Sequence, residues 1–143
     1  MNRILSAEEL YHLFMSDPVK FEKMILDNDP SFLRETVSER LKSLMENHKV
    51  RVSYVVQKSL LSKSYFYQLL EGERQPSRDV LLRIGIVCGC SAKEIQALLL
   101  LAGEGALYTK LRRDAAILSC VGKKMNLYEI DDYLIKIGEK GIL

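Results

Sequence analysis

The sequence contains no tryptophan, three prolines, three cysteines and two histidines among 143 residues, and each shortage excludes something. Three cysteines cannot form an even disulfide framework, so we expect reduced thiols and a cytoplasmic location. The longest apolar run, residues 97–102, is far too short for a membrane span, and no signal-peptide pattern follows Met1, so we expect no membrane partner. Few prolines and a high aliphatic content favour an all-helical protein.

The scarcity of histidine and cysteine also argues against catalysis and metal binding. His12 and His48 have no partner at a spacing typical of an active site, and no Gly-rich phosphate loop is present. Cys88-Gly89-Cys90 lacks a second pair and a histidine nearby in sequence, so burial as small apolar residues is favoured over a zinc site. We expect His48 to interact with a helix C-terminus, and we expect no enzyme activity, cofactor or metal.

The formal charge of +2 is too small to indicate a nucleic-acid partner, but the basic side chains are unevenly distributed. Residues 1–31 contain three Lys or Arg and six Asp or Glu, whereas residues 32–84 contain ten and six. The excess comes from Lys49, Arg51, Lys58, Lys63, Arg74 and Arg78. Such a pattern is typical of a face that meets phosphates, although ordinary solvated charge is the alternative.

Residues 62–79, SKSYFYQLLEGERQPSRD, predict a short helix whose outer face is rich in hydrogen-bond donors. Ser62 is a good N-cap, and Gly72 favours a helix end. The apolar positions recur at helical spacing and predict a buried stripe: Phe66, Leu69 and Leu70. The opposite face carries no carboxylate and consists of Lys63, Ser64, Tyr67 and Gln68. A helix of this kind suits the DNA major groove; a solvated surface helix is the alternative.

A second short helix is predicted at residues 53–59, SYVVQKS, and Leu60 and Leu61 join it to Ser62. Two short helices separated by about three residues match a helix-turn-helix. The order of elements, with SKSY and then EGxxxPSRDxLLxI, resembles the phage-repressor-like (Xre-type) helix-turn-helix family over residues 32–103. Beyond that segment, AG at 102–103, LY at 107–108 and RRDA at 112–115 resemble a C-terminal extension found in one bacterial subgroup of these regulators.

The resemblance implies a lambda-repressor-like five-helix domain that binds double-stranded DNA. From their placement on the outer face of the second helix and at its ends, we expect base contacts from Lys63, Ser64, Tyr67 and Gln68, and phosphate contacts from Ser53, Ser62, Arg74 and Arg78. Leu60 stands where the family usually has Gly, and a left-handed backbone at a non-glycine residue costs about 1 kcal/mol. We expect either that strained conformation or a slightly rebuilt turn in which Leu60 packs in an ordinary conformation. The family also often has Gln where this chain has Val52 or Ser53, and we expect Ser53 to replace it.

The remaining sequence predicts helices on both sides of this domain. We divide the chain into an acidic N-terminal helical pair at 1–30, the helix-turn-helix domain at 31–103, and a two-helix C-terminal extension at 104–143. Capping signals open the predicted helices at Ser6, Asp17, Ser31, Ser91 and Asn126. The helix capped by Ser31 is predicted to span residues 32–47, and the first helix of the extension to span residues 107–121.

We therefore expect a sequence-specific DNA-binding transcriptional regulator, repressor-like, in which the helix at 62–70 enters the major groove. We expect a homodimer, with the stripe of Leu127, Ile130, Leu134 and Ile137 as its subunit contact; packing of this stripe on the chain's own core is the alternative. A protein partner would bind through the N-terminal or C-terminal helices. The alternative function is a protein–protein interaction module, an antirepressor or adaptor built on the same fold.

Overall fold

The computed structural model describes residues 3–143, which form nine α-helices and no strand. The predicted all-helical class is therefore confirmed. The helices are α1 (Ala7–Ser16), α2 (Pro18–Leu26), α3 (Val37–Asn47), α4 (Val52–Ser59), α5 (Lys63–Leu70), α6 (Arg78–Cys88), α7 (Ala92–Leu101), α8 (Arg112–Gly122) and α9 (Leu127–Lys136). Among the described residues, no helix is long and apolar enough to cross a membrane. The chain forms two compact units, residues 1–34 and 35–143.

The first unit contains α1 and α2, and each of these helices begins with a cap that was predicted from the sequence. Ser6 and Glu9 form a reciprocal capping box at the start of α1, and Asp17 accepts from the amide of Lys20 at the start of α2. Neither helix has a buried residue. Four aromatic rings instead contact each other in a row, at centroid distances of 5.9, 5.6 and 6.4 Å: Tyr11, Phe14, Phe21 and Phe32.

The predicted start of the third helix was wrong. Ser31 does not cap it; its hydroxyl accepts from the amide of Leu5 at 2.8 Å instead. Helix α3 begins at Val37, where Thr36 and Glu39 form a capping box. That box satisfies two otherwise unpaired amides at once, so it defines a helix start more strongly than a lone serine does.

The core of the second unit is built around α6, which packs against α4, α7 and α9. Its buried side chains include Leu81, Leu82 and Ile84, and each is at most 1% exposed. Helix α5 packs on α3 and α4 through Phe66, which is fully buried. The hydrophobic effect of this shared core holds the connection between α4 and α5 in one place.

The C-terminal helices pack on the same core. Leu127, Ile130 and Leu134 are at most 3% exposed within the single chain, and α9 contacts both α6 and α8. The stripe predicted as a dimer contact is therefore an intramolecular packing surface. The hydrophobic pattern was correct, but the pattern alone did not identify which surface covers it.

Helix α8 begins at Arg112, five residues later than predicted. Leu107 is buried as its apolar character suggests, but its backbone is not helical. The side-chain amide of Gln96 accepts from Leu107 N at 2.6 Å and donates to Leu107 O at 2.8 Å. These two hydrogen bonds satisfy the backbone N–H and C=O of Leu107, which is buried but lies outside any helix.

Candidate nucleic-acid interface

Helix α5 separates an apolar face from a polar one. Phe66, Leu69 and Leu70 are buried. Of the four predicted base-contacting side chains, Lys63, Ser64 and Tyr67 are exposed and Gln68 is half-buried. Ser62 caps the helix by accepting from Tyr65 N at 3.1 Å, as predicted.

The side-chain donors on this face of α5 are available to a ligand. The hydrogen bonds and ion pairs among residues 3–143 leave the side chains of Lys63, Ser64, Tyr67 and Gln68 without a protein partner. Lys63, Ser64 and Tyr67 are exposed, so solvent can reach their donors, and no buried side-chain polar atom in the described part of the chain is unsatisfied. The face can therefore exchange water for a polar ligand at low cost.

The connection from α4 to α5 consists of residues 60–62 and contains a left-handed residue, one of the two conformations considered for Leu60 from the sequence. Leu60 has φ 62° and ψ 24°, and its side chain is 49% exposed. A left-handed non-glycine residue costs about 1–2 kcal/mol, because its Cβ approaches the following carbonyl oxygen. The surrounding contacts must outweigh this cost to keep the connection tight.

Arg83 supplies such a contact, and the sequence analysis did not identify it. Its guanidinium, on α6, donates from Nε and Nη2 to the carbonyl oxygen of Ser59, at 3.0 and 2.6 Å. Ser59 is the fully buried last residue of α4, so its carbonyl has no intrahelical donor. Arg83 thus satisfies the end of α4 and fixes it to α6 just before the chain turns into α5.

The start of α4 is open to an anion. Its N-cap, Arg51, makes no side-chain hydrogen bond to the first turn, so the amides there have no side-chain acceptor. Ser53 lies in this turn and is exposed. Unpaired helix amides, the partial positive charge of the helix end and a neighbouring arginine together favour phosphate.

Arg74 and Arg78, both predicted phosphate contacts, have different environments. Arg74 is exposed, and its guanidinium carbon lies 5.8 Å from the centroid of the Tyr65 ring, a distance that permits a cation–π interaction. It makes no ion pair with another described residue. Its head group therefore remains available to a phosphate and is oriented by the ring.

Arg78 is instead partly buried and bonded within the protein. Its guanidinium donates to both carboxylate oxygens of Asp114, at 3.0 and 2.9 Å, and to the carbonyl oxygens of Gly105 and Ala106. With four donor contacts used inside the protein, Arg78 cannot serve as a phosphate anchor, and we withdraw that assignment. Spacing could not reveal this, because Asp114 lies 36 residues away.

A second ion pair runs beside the first. Arg113 donates to both carboxylate oxygens of Asp79, at 3.1 and 3.0 Å. The adjacent residues Arg78 and Asp79 on α6 thus pair with the adjacent residues Asp114 and Arg113 on α8. We call these four residues the Arg–Asp clamp. The clamp joins the C-terminal helices to the helix that holds α4.

Five exposed basic side chains lie on the segment that carries α4 and α5, and further exposed Lys and Arg residues are spread over the rest of the described chain. The five are Lys49, Arg51, Lys58, Lys63 and Arg74. None of the five forms an ion pair with another residue in the described range 3–143. Exposed Glu71 and Glu73 reduce the local charge, so the potential of this surface is moderate rather than strong.

The cysteines are buried, as expected: Cys88, Cys90 and Cys120 are all at most 6% exposed. His48 lies at the end of α3 as its C-cap residue, and its Nε2 also lies 3.0 Å from the carboxylate oxygens of Glu94. The structure brings Cys90 to this same pair, although 42 residues separate it from His48. These three side chains are the described residues whose ligand atoms cluster in a way that suits a metal ion.

No protein-family model, curated protein or solved structure matches this chain. Any functional assignment therefore rests on the residues and geometry described above.

Proposed function

We propose that the chain is a sequence-specific DNA-binding protein that acts in transcriptional regulation and is repressor-like. In this proposal α4 and α5 form a helix-turn-helix, and α5 enters the major groove of double-stranded DNA. The single observation that carries the proposal is the outer face of α5, which presents unpartnered hydrogen-bond donors and no carboxylate, in a segment that also carries five exposed basic side chains without an ion pair.

Each of the four predicted base-contacting residues of α5, three of them exposed and Gln68 half-buried, has a chemical role in this proposal. Gln68 can pair bidentately with adenine, and Lys63 can donate to the acceptors of guanine. Ser64 can bond to several bases, and Tyr67 offers both an apolar ring and a hydroxyl. Together these four side chains would read a few base pairs of sequence.

The phosphates would be held on both sides of α5. The open first turn of α4, with Ser53, would contact one phosphate, and the N-terminus of α5 with Ser62 would contact another. Arg74, oriented by Tyr65, would hold a third. Such contacts position the protein on the duplex and carry no sequence information themselves.

A second copy of the chain is expected, because one helix-turn-helix contacts too few base pairs for a specific site. The C-terminal stripe is buried, so we propose that the α1–α2 unit forms the subunit contact. It is only 34 residues long and exposes large apolar side chains, including Tyr11, Met15, Val19 and Leu26. Units shorter than about 40 residues usually need disulfides, metals or association to fold.

Sedimentation of the full chain at micromolar concentration tests whether the chain forms a dimer. A chain that stays monomeric with and without DNA would contradict the proposed subunit contact.

The experiment that tests the function is selection of bound sites from a pool of random duplexes. The proposal predicts an enriched motif of a few base pairs, repeated with half-sites about 34 Å apart or a multiple of that distance if two copies bind. A lack of enrichment, together with no salt-sensitive binding to random duplex, would contradict the proposal. That result would favour the alternative function, a protein-binding antirepressor or adaptor that uses the exposed apolar side chains of α1 and α2.

A further inference from the structure

Three side chains from three separate elements meet at one edge of the second unit. His48 ends α3, Cys90 lies in the connection between α6 and α7, and Glu94 lies in the first turn of α7. Their ligand atoms all lie within 4.8 Å of one another. None of the three residues is among those to which the function proposed above gives a DNA contact.

From this geometry we infer that His48, Cys90 and Glu94 form a binding site for a divalent transition-metal ion, and that Zn²⁺ is the ion it fits best. Imidazole, thiolate and carboxylate together are a ligand set typical of zinc, and a hard ion such as Mg²⁺ or Ca²⁺ would not select the thiolate. Bonds of about 2.0–2.3 Å to a tetrahedral ion place ligand atoms about 3.5 Å apart. The three groups therefore need to approach by little more than about 1 Å.

The backbone holds two of the ligands in place before any ion binds. Gly89 adopts φ +80°, and the amide of Cys90 donates to Gly85 O at 3.0 Å, which fixes Cys90 directly after the end of α6. Glu94 accepts from Ser91 N at 2.9 Å within the capping box of α7, so its carboxylate is already oriented. Hydrogen bonds of this kind to a ligating group raise metal affinity in known sites.

A pocket of about 540 Å³ gives an ion access to the three ligands. Its lining also includes Gly89, Val121 and Met125, so it lies between the α6–α7 connection and the end of α8. Three protein ligands leave a fourth position, which a water molecule from this pocket can occupy. An ion bound here would connect the end of α3 to the start of α7.

Binding replaces protons by the ion, without any redox step. The ion displaces the thiol proton of Cys90, which is released to solvent, and forms the metal–thiolate bond. His48 must present the unprotonated Nε2, with its ring proton on Nδ1, so the hydrogen bond between His48 and Glu94 gives way to two metal–ligand bonds.

Titration of the reduced, untagged full chain with Co²⁺ tests the inference. We expect one equivalent to produce the thiolate-to-cobalt charge-transfer band and the intense visible bands of tetrahedral cobalt, and Zn²⁺ to abolish both. Cys90→Ala should lose the charge-transfer band. Glu94→Gln should weaken binding at least tenfold, although Gln still supports a capping box and so preserves the helix start.

Cys88→Ala provides the matched control, since Cys88 is equally buried and lies only two residues away but is outside the cluster. It should bind Co²⁺ as the unchanged chain does. Circular dichroism of each variant confirms that it is folded; if Cys90→Ala is not, the Glu94→Gln comparison decides the question. The inference is overturned if the unchanged chain shows no charge-transfer band at millimolar Co²⁺, or if folded Cys90→Ala retains the band. His48 and Glu94 would then form only a structural hydrogen-bonded pair beside Cys90.

Discussion

Arg83 donates two hydrogen bonds to the carbonyl oxygen of Ser59, at 3.0 Å from Nε and 2.6 Å from Nη2. This contact joins α6, the centre of the core, to the last residue of α4. It therefore fixes the point from which the chain turns into α5, the helix proposed to contact bases.

Arg83→Met should destabilise the fold by about 1–3 kcal/mol, because it leaves the carbonyl of a fully buried residue without a donor. Thermal or urea unfolding measures the change. Arg74→Met is the control, since Arg74 is exposed and should change stability by less than about 0.5 kcal/mol. Equal stability of the two variants would show that the contact with Ser59 does not hold α4.

Leu60→Gly should be neutral or stabilising, because glycine adopts the left-handed conformation at no steric cost and the leucine side chain is half exposed. Leu61→Gly is the matched control. Leu61 is partly buried against the core, so its loss should destabilise by about 2 kcal/mol or more. A fall of about 2–5 kcal/mol for Leu60→Gly in thermal melts would mean that Leu60 is a packed residue and not a strained one.

The Arg–Asp clamp predicts a pH dependence. Bonds from Arg78, opposed in part by burial and aided by the amide of Tyr108, hold the pKa of Asp114 below its usual value of 3.8. The unfolded chain therefore binds a proton at higher pH than the folded chain does. The stability from this pair is fully present above the unfolded pKa and is lost as pH falls through the lower folded pKa.

Asp114→Asn should cost about 3 kcal/mol near neutral pH, because it leaves the partly buried guanidinium of Arg78 without its counter-charge. It should also flatten the fall of stability below about pH 4. Urea unfolding from pH 2 to 7 measures both effects. The double variant Arg78→Met with Asp114→Leu should recover part of the loss. If the free energy of unfolding of Asp114→Asn fell below about pH 4 as steeply as that of the unchanged chain, the pair would not contribute to the pH dependence.

Ending the chain after Gly122 should expose the core. Ile130, Leu134 and Ile142 are at most 2% exposed and would all be removed. The side of α6 that packs against α9 would then be exposed to water. We expect aggregation, or loss of cooperative unfolding by calorimetry. Deletion of residues 1–34 removes the first compact unit and is the control, which should leave cooperative unfolding in place. A folded, soluble chain ending at Gly122 would contradict the packing of α9 described here.

Local signals predicted most of the helices. Capping residues such as Ser62, Ser91 and Asn126 stand at helix starts, and apolar spacing identified the buried faces of α5 and α9. The left-handed backbone at Leu60 is one of the two alternatives that the sequence left open, and it is the one that the structure shows. These features depend on a few neighbouring residues, so the sequence contains enough information to locate them.

Features that depend on distant residues were missed. Nothing near Arg78 in sequence shows that Asp114 accepts its hydrogen bonds, and nothing near Cys90 shows that His48 lies beside it. The apolar stripe of α9 has the same spacing whether a second subunit or the chain's own α6 covers it. The role of such a residue depends on which other residues it contacts, and only the folded chain shows those contacts.

The central claim is that α5 distinguishes DNA sequences while surrounding groups hold phosphates. Fluorescence anisotropy should therefore be measured for the unchanged chain, Gln68→Ala and Arg74→Ala, on a selected duplex and a scrambled one between about 50 and 200 mM salt. Gln68→Ala should lose about 1–3 kcal/mol on the selected duplex and little on the scrambled one. Arg74→Ala should weaken both alike and lower the salt slope by about one. Equal binding of both duplexes by the unchanged chain, or no binding to either, would contradict the account.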